Sequence, residues 1–310
     1  LPVNQRGKAQ VDTHTHTHTH THTHTHCSTE FTLKWISRAS KKSLLLSRIV
    51  IWIAMVIVTF PALWIVMASF SKGDSFFSST LFPEELSLVN YQRLFAETDF
   101  GLWVFNSLKL CFLVAIIQLA LTTTAAYAFA RIRFPGRSKG LMTVLVLQVF
   151  PSSMALAGYY VIIYKFGLVN NMLAIVFVLA AGSAYNIWLL KSYIDGIPKE
   201  LDESAFVDGA GHLTTFVKIV LPLAMPQIAV IFIFSFIATY SEYVISSVFL
   251  QTPDSYTLSI GLQSFIADQF NAHWTMFAAA AVLASVPVMV IFLLLQRYIQ
   301  GGLVAGGVKG

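Results

Sequence analysis

Charged side chains are scarce in this chain of 310 residues. They make up 11% of it, whereas 56% of the residues are hydrophobic, and the mean hydropathy is +0.68. A soluble domain usually carries about 25% charged residues, so the composition indicates an integral membrane protein. The net charge of +5 does not indicate nucleic-acid binding, because the basic residues lie beside the apolar runs and form no single stripe.

Motifs for enzymatic chemistry are also missing from the sequence. There is no Gly-x-x-x-x-Gly-Lys-Ser/Thr phosphate loop, and no nucleophile elbow, zinc pair or kinase motif set. The two cysteines, Cys27 and Cys111, provide neither a disulfide framework nor a metal site. Outside the N-terminal tail only His212 and His273 remain, and we interpret both as ordinary surface histidines. We therefore expect no catalytic residue, metal or cofactor in this chain.

The first 30 residues differ from the rest. Thr-His pairs alternate without a break from Thr13 to His26. Clustered imidazoles can bind metals, but the tract has no core-forming residues and is typical of a disordered tail. An alternating A-C repeat in DNA also encodes Thr and His, so an artefactual sequence is a third interpretation. We exclude residues 1–30 from the fold and interpret 31–45 as a basic cytoplasmic lead-in to the membrane.

Six apolar segments are long enough to cross about 30 Å of hydrocarbon, which needs roughly 20 helical residues. They are residues 46–70, 105–129, 141–164, 172–190, 219–249 and 276–295. Pro151 in the third segment predicts a kink, and Pro222 and Pro226 predict that the overlong fifth segment begins at the interface. The expected fold is an all-α membrane protein with a six-span domain at 46–295 and a cytoplasmic tail at 296–310.

The distribution of Lys and Arg among the loops predicts the orientation. Four basic residues and no acidic residue lie between Arg131 and Lys139, after the second span. Three lysines lie in the loop after the fourth span, whereas the loop at 250–275 has no basic residue. Both termini and the segment 191–218 are therefore predicted to face the cytoplasm.

Two ionisable residues fall within the predicted spans. Glu242 lies in the outer half of the fifth span, and Lys109 lies near the outer end of the second. Charge inside a membrane is costly and marks a candidate functional site. Either these residues line a polar translocation path together with Gln118 and Gln148, or they lie shallow enough to reach water or to pair with each other.

The cytoplasmic segment 191–218 is predicted to form two short amphipathic helices joined at Gly209. Asp202 places negative charge near the start of the first helix. Lys199 and Glu203 are four residues apart, and such a pair can interact on one helix face. The segment is either a spacer between two spans or a surface that docks into a partner's cleft, and its mixture of charge, glycine and apolar residues favours docking.

The spacing of this segment resembles the EAA signature of ABC-importer permeases. In that signature Glu-Ala-Ala is followed by Gly after three residues, by Ile after nine more, and by Leu-Pro after one more. Glu203, Gly209, Ile219 and Leu221-Pro222 match every spacing, and the only departure is Ser204 in place of Ala. The resemblance covers roughly residues 44–310.

Further stretches resemble the MalG type of permease, found in maltose/maltodextrin importers. They are Asn90-Tyr91, Phe129-Ala-Arg131, Phe134-Pro-Gly136, Ser255-Tyr-Thr-Leu258, Phe277-Ala-Ala-Ala-Ala281 and the ending Ala305-Gly-Gly-Val-Lys-Gly310. This resemblance implies six helices in a prokaryotic inner membrane. It also implies a MalF-like second permease subunit, two MalK-like ATPase subunits that bind ATP and Mg, and an external sugar-binding protein.

The resemblance also implies roles for particular residues. By this likeness the coupling helix would be seated in an ATPase subunit. The residues of the coupling signature would be Glu203, Ser204, Ala205, Asp208, Gly209, Ile219, Leu221 and Pro222. The tail that reaches between the ATPase subunits would comprise Gly306, Gly307, Val308, Lys309 and Gly310. The loop at 250–275 would contact the binding protein. Two alternatives remain: a proton-coupled secondary carrier that uses Glu242 and Lys109, and a membrane scaffold that transports nothing.

Overall fold

The computed structural model describes residues 41–73, 85–267 and 272–307, and within these ranges it is helical without strands. The helices are α1 (Lys41–Ser69), α2 (Val89–Glu97), α3 (Phe100–Arg131), α4 (Arg137–Leu147), α5 (Leu156–Lys165), α6 (Met172–Ala180), α7 (Ala184–Asp195), α8 (Glu200–Val207), α9 (His212–Leu223), α10 (Met225–Tyr240), α11 (Val244–Phe249), α12 (Leu258–Ser264) and α13 (Trp274–Gly307). An all-helical fold is therefore confirmed for these residues. The predicted tail at 1–30 and most of the lead-in lie outside them, and residues 41–45 belong to α1.

The chain separates into two units, Leu1–Pro61 and Ala62–Gly310. The described part of the first unit is the beginning of α1, whose stretch Leu44–Ser69 is long and apolar enough to cross a membrane. The second unit contains every other described helix.

Helix α3 is the axis of the second unit, because three buried apolar clusters follow one another along it. The first cluster includes Phe100, Trp103, Leu258 and Met276. The second includes Leu110, Val114, Ile175 and Phe249. The third includes Tyr127, Ala130, Leu190 and Phe216. Each end and the middle of α3 are thus packed against different helices, so α3 links all of these helices to one another.

Small residues and buried polar groups hold the helices close together, as expected where lipid removes most of the hydrophobic driving force between helices. Ala278, Ala279 and Ala280 of α13 are fully buried. An added Cβ at Gly261 would lie 2.1 Å from Cε3 of Trp103, so only glycine fits there. The Asn90 amide donates to the carbonyl oxygens of Ser69 at 3.0 Å and Ser71 at 2.8 Å.

Three helices among the described residues are long and apolar enough to cross a membrane, and five spans result if each bent pair counts as one. The single helices contain Leu44–Ser69, Phe100–Arg131 and Trp274–Ile299. The bent pairs are α6 with α7, at 49°, and α9 with α10, at 77°. The expected count of six spans therefore stays a prediction.

The third predicted span, 141–164, is the one that fails this test of length. Helix α4 ends at Leu147, a 3₁₀ turn occupies Ser152–Ala155, and α5 begins at Leu156. Pro151 lies in the gap; it has no N–H to donate and disfavours helical geometry in the residue before it. The expected kink is therefore a complete break.

One other predicted boundary is also corrected. The fifth span, 219–249, is divided by the bend before Met225 and again by the residues between α10 and α11. In the predicted tail at 296–310, α13 continues through Gly307, and the position of this tail in the cytoplasm stays a prediction. Residues 308–310, including Val308 and Lys309, lie outside the described part of the chain.

Candidate functional site

The signature glycine closes α8 by reversing the chain. Gly209 has a φ of 82°, a left-handed conformation that costs other L-residues about 1–2 kcal/mol. Its N–H donates to the carbonyl of Phe206 at 3.1 Å, and the N–H of Ala210 donates to the carbonyl of Ala205 at 2.9 Å. These two bonds form a Schellman motif, in which glycine is the usual residue. The turn predicted at Gly209 is confirmed. Glycine is favoured here by its backbone conformation and not by lack of space, because an added Cβ would meet nothing within 4 Å.

A buried ion pair ties α8 to the end of α3. Asp202, in the first turn of α8, pairs with Arg131, the last residue of α3, and each side chain is only 5% exposed. Nη2 of Arg131 also donates to the carbonyl of Ile197 at 2.9 Å. Removing one member of a buried pair leaves an uncompensated charge in the interior, so these contacts fix the position of α8 firmly. The position of Asp202 near the start of the helix was predicted, but its partner was not.

The expected pair of Lys199 and Glu203 does not form among the described residues. Both side chains are exposed, and an exposed pair one helical turn apart contributes only about 0.3–0.5 kcal/mol. Glu203 and Asp208 therefore face solvent and are available to a partner. Ser204, the departure from the signature, satisfies its hydroxyl by donating to the carbonyl of Glu200 at 2.7 Å.

The side chain of His212, the first residue of α9, contacts both α8 and α3. Its ring packs edge-on against Phe206, with 5.0 Å between centroids, and Nδ1 lies 3.3 Å from the hydroxyl of Tyr127. The residue is exposed, as predicted. Its contacts are structural, and no sequence signal indicated them.

The end of the signature lies where α9 widens and bends. The N–H of Leu221 donates to the carbonyl of Phe216, which gives a π-helical turn at Phe216–Val220. A proline ring clashes with the carbonyl four residues earlier in an α-helix, and a π-turn relieves such a clash by displacing that carbonyl. Pro222 thus accounts for the wide turn just before the 77° bend into α10.

Large apolar side chains remain exposed on α8 and α9, in a segment that the sequence places between two spans. They are Leu201, Phe206, Val207, Leu213 and Val217. Val207 is 87% exposed and Leu213 is 74% exposed. Exposed apolar residues grouped in a polar setting mark an interaction surface.

The four residues proposed for a translocation path are not joined to one another by any hydrogen bond or ion pair in the described part of the structure. Glu242 lies in the break after α10, where its carboxylate accepts from the N–H groups of Ile245 at 2.6 Å and Ser246 at 2.9 Å. It thereby caps α11. Lys109 is exposed on α3, and Gln118 is buried on the same helix.

Gln148 connects two helix breaks. Its amide donates to the carbonyl of Gly182 at 2.9 Å and accepts from the N–H of Tyr185 at 3.0 Å. The break after α4 is thereby bound to the break between α6 and α7. This role needs tertiary contact and could not be inferred from the sequence.

The segment expected to contact a binding protein is anchored on the N-terminal half of α3. Asn106 donates to the carbonyls of Asp254 at 2.9 Å and Tyr256 at 3.0 Å. Ser107 accepts from the N–H of Leu258 at 2.7 Å. Within the described residues, no group of three or more His, Cys, Asp or Glu is placed to hold a metal ion.

Comparison with known proteins identifies the family. Residues 36–304 match the family described as "Binding-protein-dependent transport system inner membrane component". The chain is 38% identical over 271 residues to the galactooligosaccharides transport system permease protein GanQ of Bacillus subtilis (strain 168), covering 86% of this chain and 96% of GanQ. It is 35% identical over 292 residues to the maltose/maltodextrin transport system permease protein MalG of Escherichia coli (strain K12), covering 88% and 98%.

The fold has a solved counterpart. It is similar to a crystal structure of a bacterial ABC transporter involved in the import of the acidic polysaccharide alginate, with a TM-score of 0.71 and 22% identity, covering 84% of this chain and 98% of the other. At that identity the likeness supports the fold alone. The chain belongs to the family of binding-protein-dependent transport system inner membrane components, which confirms the resemblance drawn from residues 203–222.

Proposed function

We propose that the chain is a permease subunit of an ATP-driven sugar importer and that α8 with its Gly209 turn is the element that couples it to an ATPase subunit. The observation that supports this proposal is that α8 combines an exposed surface with a buried link to α3. The helix presents exposed apolar and acidic residues, and it is tied through the buried Arg131–Asp202 pair to the central helix α3. A surface built for docking is thereby connected to the transmembrane core.

The proposed mechanism is alternating access driven from outside the chain. Two ATPase subunits bind ATP and Mg and close on each other, and the coupling helix moves with them. Arg131 passes the displacement of α8 to α3, whose packing along its length turns it into a tilt. A ligand shifts such an equilibrium only by its different affinity for the two states. A sugar-loaded binding protein must therefore prefer the outward-facing state.

The proposed arrangement has α8, α9 and both termini in the cytoplasm and a second permease subunit beside this one. The C-terminal residues Gly306 to Gly310 reach between the ATPase subunits. On the opposite side of the membrane, the segment anchored by Asn106 faces the binding protein. The distribution of basic residues supports this orientation.

The proposed substrate is an oligosaccharide, with maltose/maltodextrin as the first choice. The sequence stretches shared with the MalG type support maltodextrin. The relatives named for galactooligosaccharides and for maltose are 38% and 35–37% identical, a difference too small to choose between the two sugars. The proton-coupled alternative loses its main support, because the Glu242 carboxylate already caps α11.

The docking surface is tested by placing a charge on it. Val207→Asp puts a carboxylate at the most exposed apolar position of α8. Loss of a central interface contact costs about 2 kcal/mol or more, so we expect the ATPase subunit to bind about thirtyfold more weakly in a co-purification titration. Leu86→Asp is the matched control, because Leu86 is 75% exposed and is predicted to face the other side of the membrane. Equal binding by both variants would refute the assignment.

A further inference from the structure

A cleft of about 750 Å³ lies between the beginning of α4 and the second half of α7. Three cationic residues line it, Arg133, Arg137 and Lys191, together with Trp188 and the apolar side chains of Met142 and Leu145. Along α4 the rise of 1.5 Å per residue separates Arg137 from Leu145 by about 12 Å. The cleft is therefore basic at the start of α4 and apolar two turns further along.

The basic end carries more positive charge than its surroundings neutralise. Arg133 is exposed and has no ion-pair or hydrogen-bond partner among the described residues. Arg137 donates to the carbonyls of Phe129 at 2.7 Å and Ala130 at 2.9 Å, which holds its guanidinium in place. Among the described residues, Lys191 is the one member of the three that has a counter-ion, Asp195. Three cations beside one carboxylate leave this end of the cleft with a net positive charge, which favours an anion.

The cleft's position in a membrane protein indicates which anion fits. Arg133 lies in the short basic stretch that follows the end of α3, and Arg137 is the first residue of α4 directly after it. Trp188 is 43% exposed, and tryptophan favours the level of the lipid headgroups. Met142 is 64% exposed on the apolar side, where an acyl chain would continue. Basic pockets between transmembrane helices on the cytoplasmic side bind anionic headgroups.

We propose that this cleft binds an anionic phospholipid. Arg133, Arg137 and Lys191 hold the phosphate of the headgroup, and Met142 and Leu145 contact the first part of an acyl chain. The site is distinct from the docking surface on α8 and α9, and the proposal does not depend on the transported sugar.

The test measures how strongly a brominated lipid quenches the fluorescence of Trp188. The full chain, with the subunits that purify with it, is placed in nanodiscs of phosphatidylcholine containing increasing amounts of brominated phosphatidylglycerol. The fluorescence of Trp188 is obtained by subtracting the fluorescence of the Trp188→Phe variant from that of the unaltered protein. We expect quenching by brominated phosphatidylglycerol to exceed quenching by brominated phosphatidylcholine. One cation beside an anionic lipid contributes about 1 kcal/mol, so Arg133→Gln should weaken the preference about fivefold.

Matched variants separate the cleft from a general effect of charge. Arg133→Lys keeps the charge and should retain most of the preference. Lys165→Gln removes one exposed cation from the end of α5 and should leave the preference unchanged. Equal quenching by the two lipids, or no quenching by either because a protein subunit covers the cleft, would overturn the proposal. Loss of the preference when inorganic phosphate is added would assign the site to a free anion instead. These readouts need no transport, so they stand or fall independently of the proposed function.

Discussion

Asp202 differs from its acidic neighbours on α8 because its side chain is buried, whereas Glu200 and Glu203 are exposed. Burial of a carboxylate is tolerated here because Arg131 accompanies it. A pair of this kind gains little net stability from its own attraction, but each member depends strongly on the other. At the scale of single residues, the pair therefore determines where α8 lies.

Asp202→Ala should destabilise the protein by about 3–5 kcal/mol, because it leaves the Arg131 guanidinium buried and unpaired. Thermal unfolding of the purified protein measures the effect, and Glu200→Ala serves as the control because that side chain is exposed. The double variant Arg131→Met with Asp202→Leu should recover most of the stability. A single variant as stable as the control would show that the pair does not position α8.

Gly209 and Gly211 offer a matched comparison of backbone conformation. An added Cβ would meet nothing within 4 Å at either position, but Gly209 has a φ of 82° and Gly211 has a φ of −84°. Gly209→Ala should therefore cost about 1–2 kcal/mol, while Gly211→Ala should cost less, because it introduces no left-handed strain and only weakens the N-cap of α9. Unfolding free energies of the two variants check this. Equal costs would contradict the role given to the turn.

Breaks in helices are the main feature at the scale of elements, and α11 shows how one is stabilised. Glu242 ends the break after α10 by accepting from two backbone N–H groups and from the Ser246 hydroxyl at 2.6 Å. In the sequence, Glu242 is an ionisable residue within the predicted span 219–249. Its hydrogen bonds give it a structural reason to be there.

Glu242→Gln keeps one acceptor oxygen at the start of α11 and loses the other, so it should retain part of the cap together with sugar uptake and its dependence on pH. Glu242→Ala removes all three bonds, each worth about 1 kcal/mol, and should lower stability before it affects transport. Uptake assays at several pH values with both variants measure this. If Glu242→Gln abolished uptake in a stable protein, the proton-coupled alternative would regain its support.

The sequence predicts these elements unevenly. Hydrophobic length and periodicity predicted the start of α6 at Met172, and the spacing of glycine and apolar residues predicted two short helices joined at Gly209. The break near Pro151 was expected only as a kink. The complete break is held by Gln148, which bonds to Gly182 and Tyr185 more than 30 residues away. The partner of Asp202 is also distant along the chain. Such contacts come from tertiary packing, which local patterns do not contain.

At the scale of the whole molecule, α3 connects two regions that the proposal assigns to different partners. Its first half anchors the segment proposed to face the binding protein, through Asn106 and Ser107. Its middle contains the buried Gln118. Its last residue, Arg131, pairs with Asp202 of α8, the helix proposed to dock on an ATPase subunit. One rigid helix can therefore relate events on the two sides of the membrane, as alternating access requires.

Sugar uptake and ATP hydrolysis, measured together in vesicles containing the complete complex, test the central claim most directly. We expect maltodextrin uptake only when ATP and a sugar-loaded binding protein are supplied on opposite sides of the membrane. Val207→Asp should reduce uptake and stimulated hydrolysis together, while Leu86→Asp should leave both intact. Uptake that persists without ATP, or that survives Val207→Asp unchanged, would contradict the account of α8 as the coupling element.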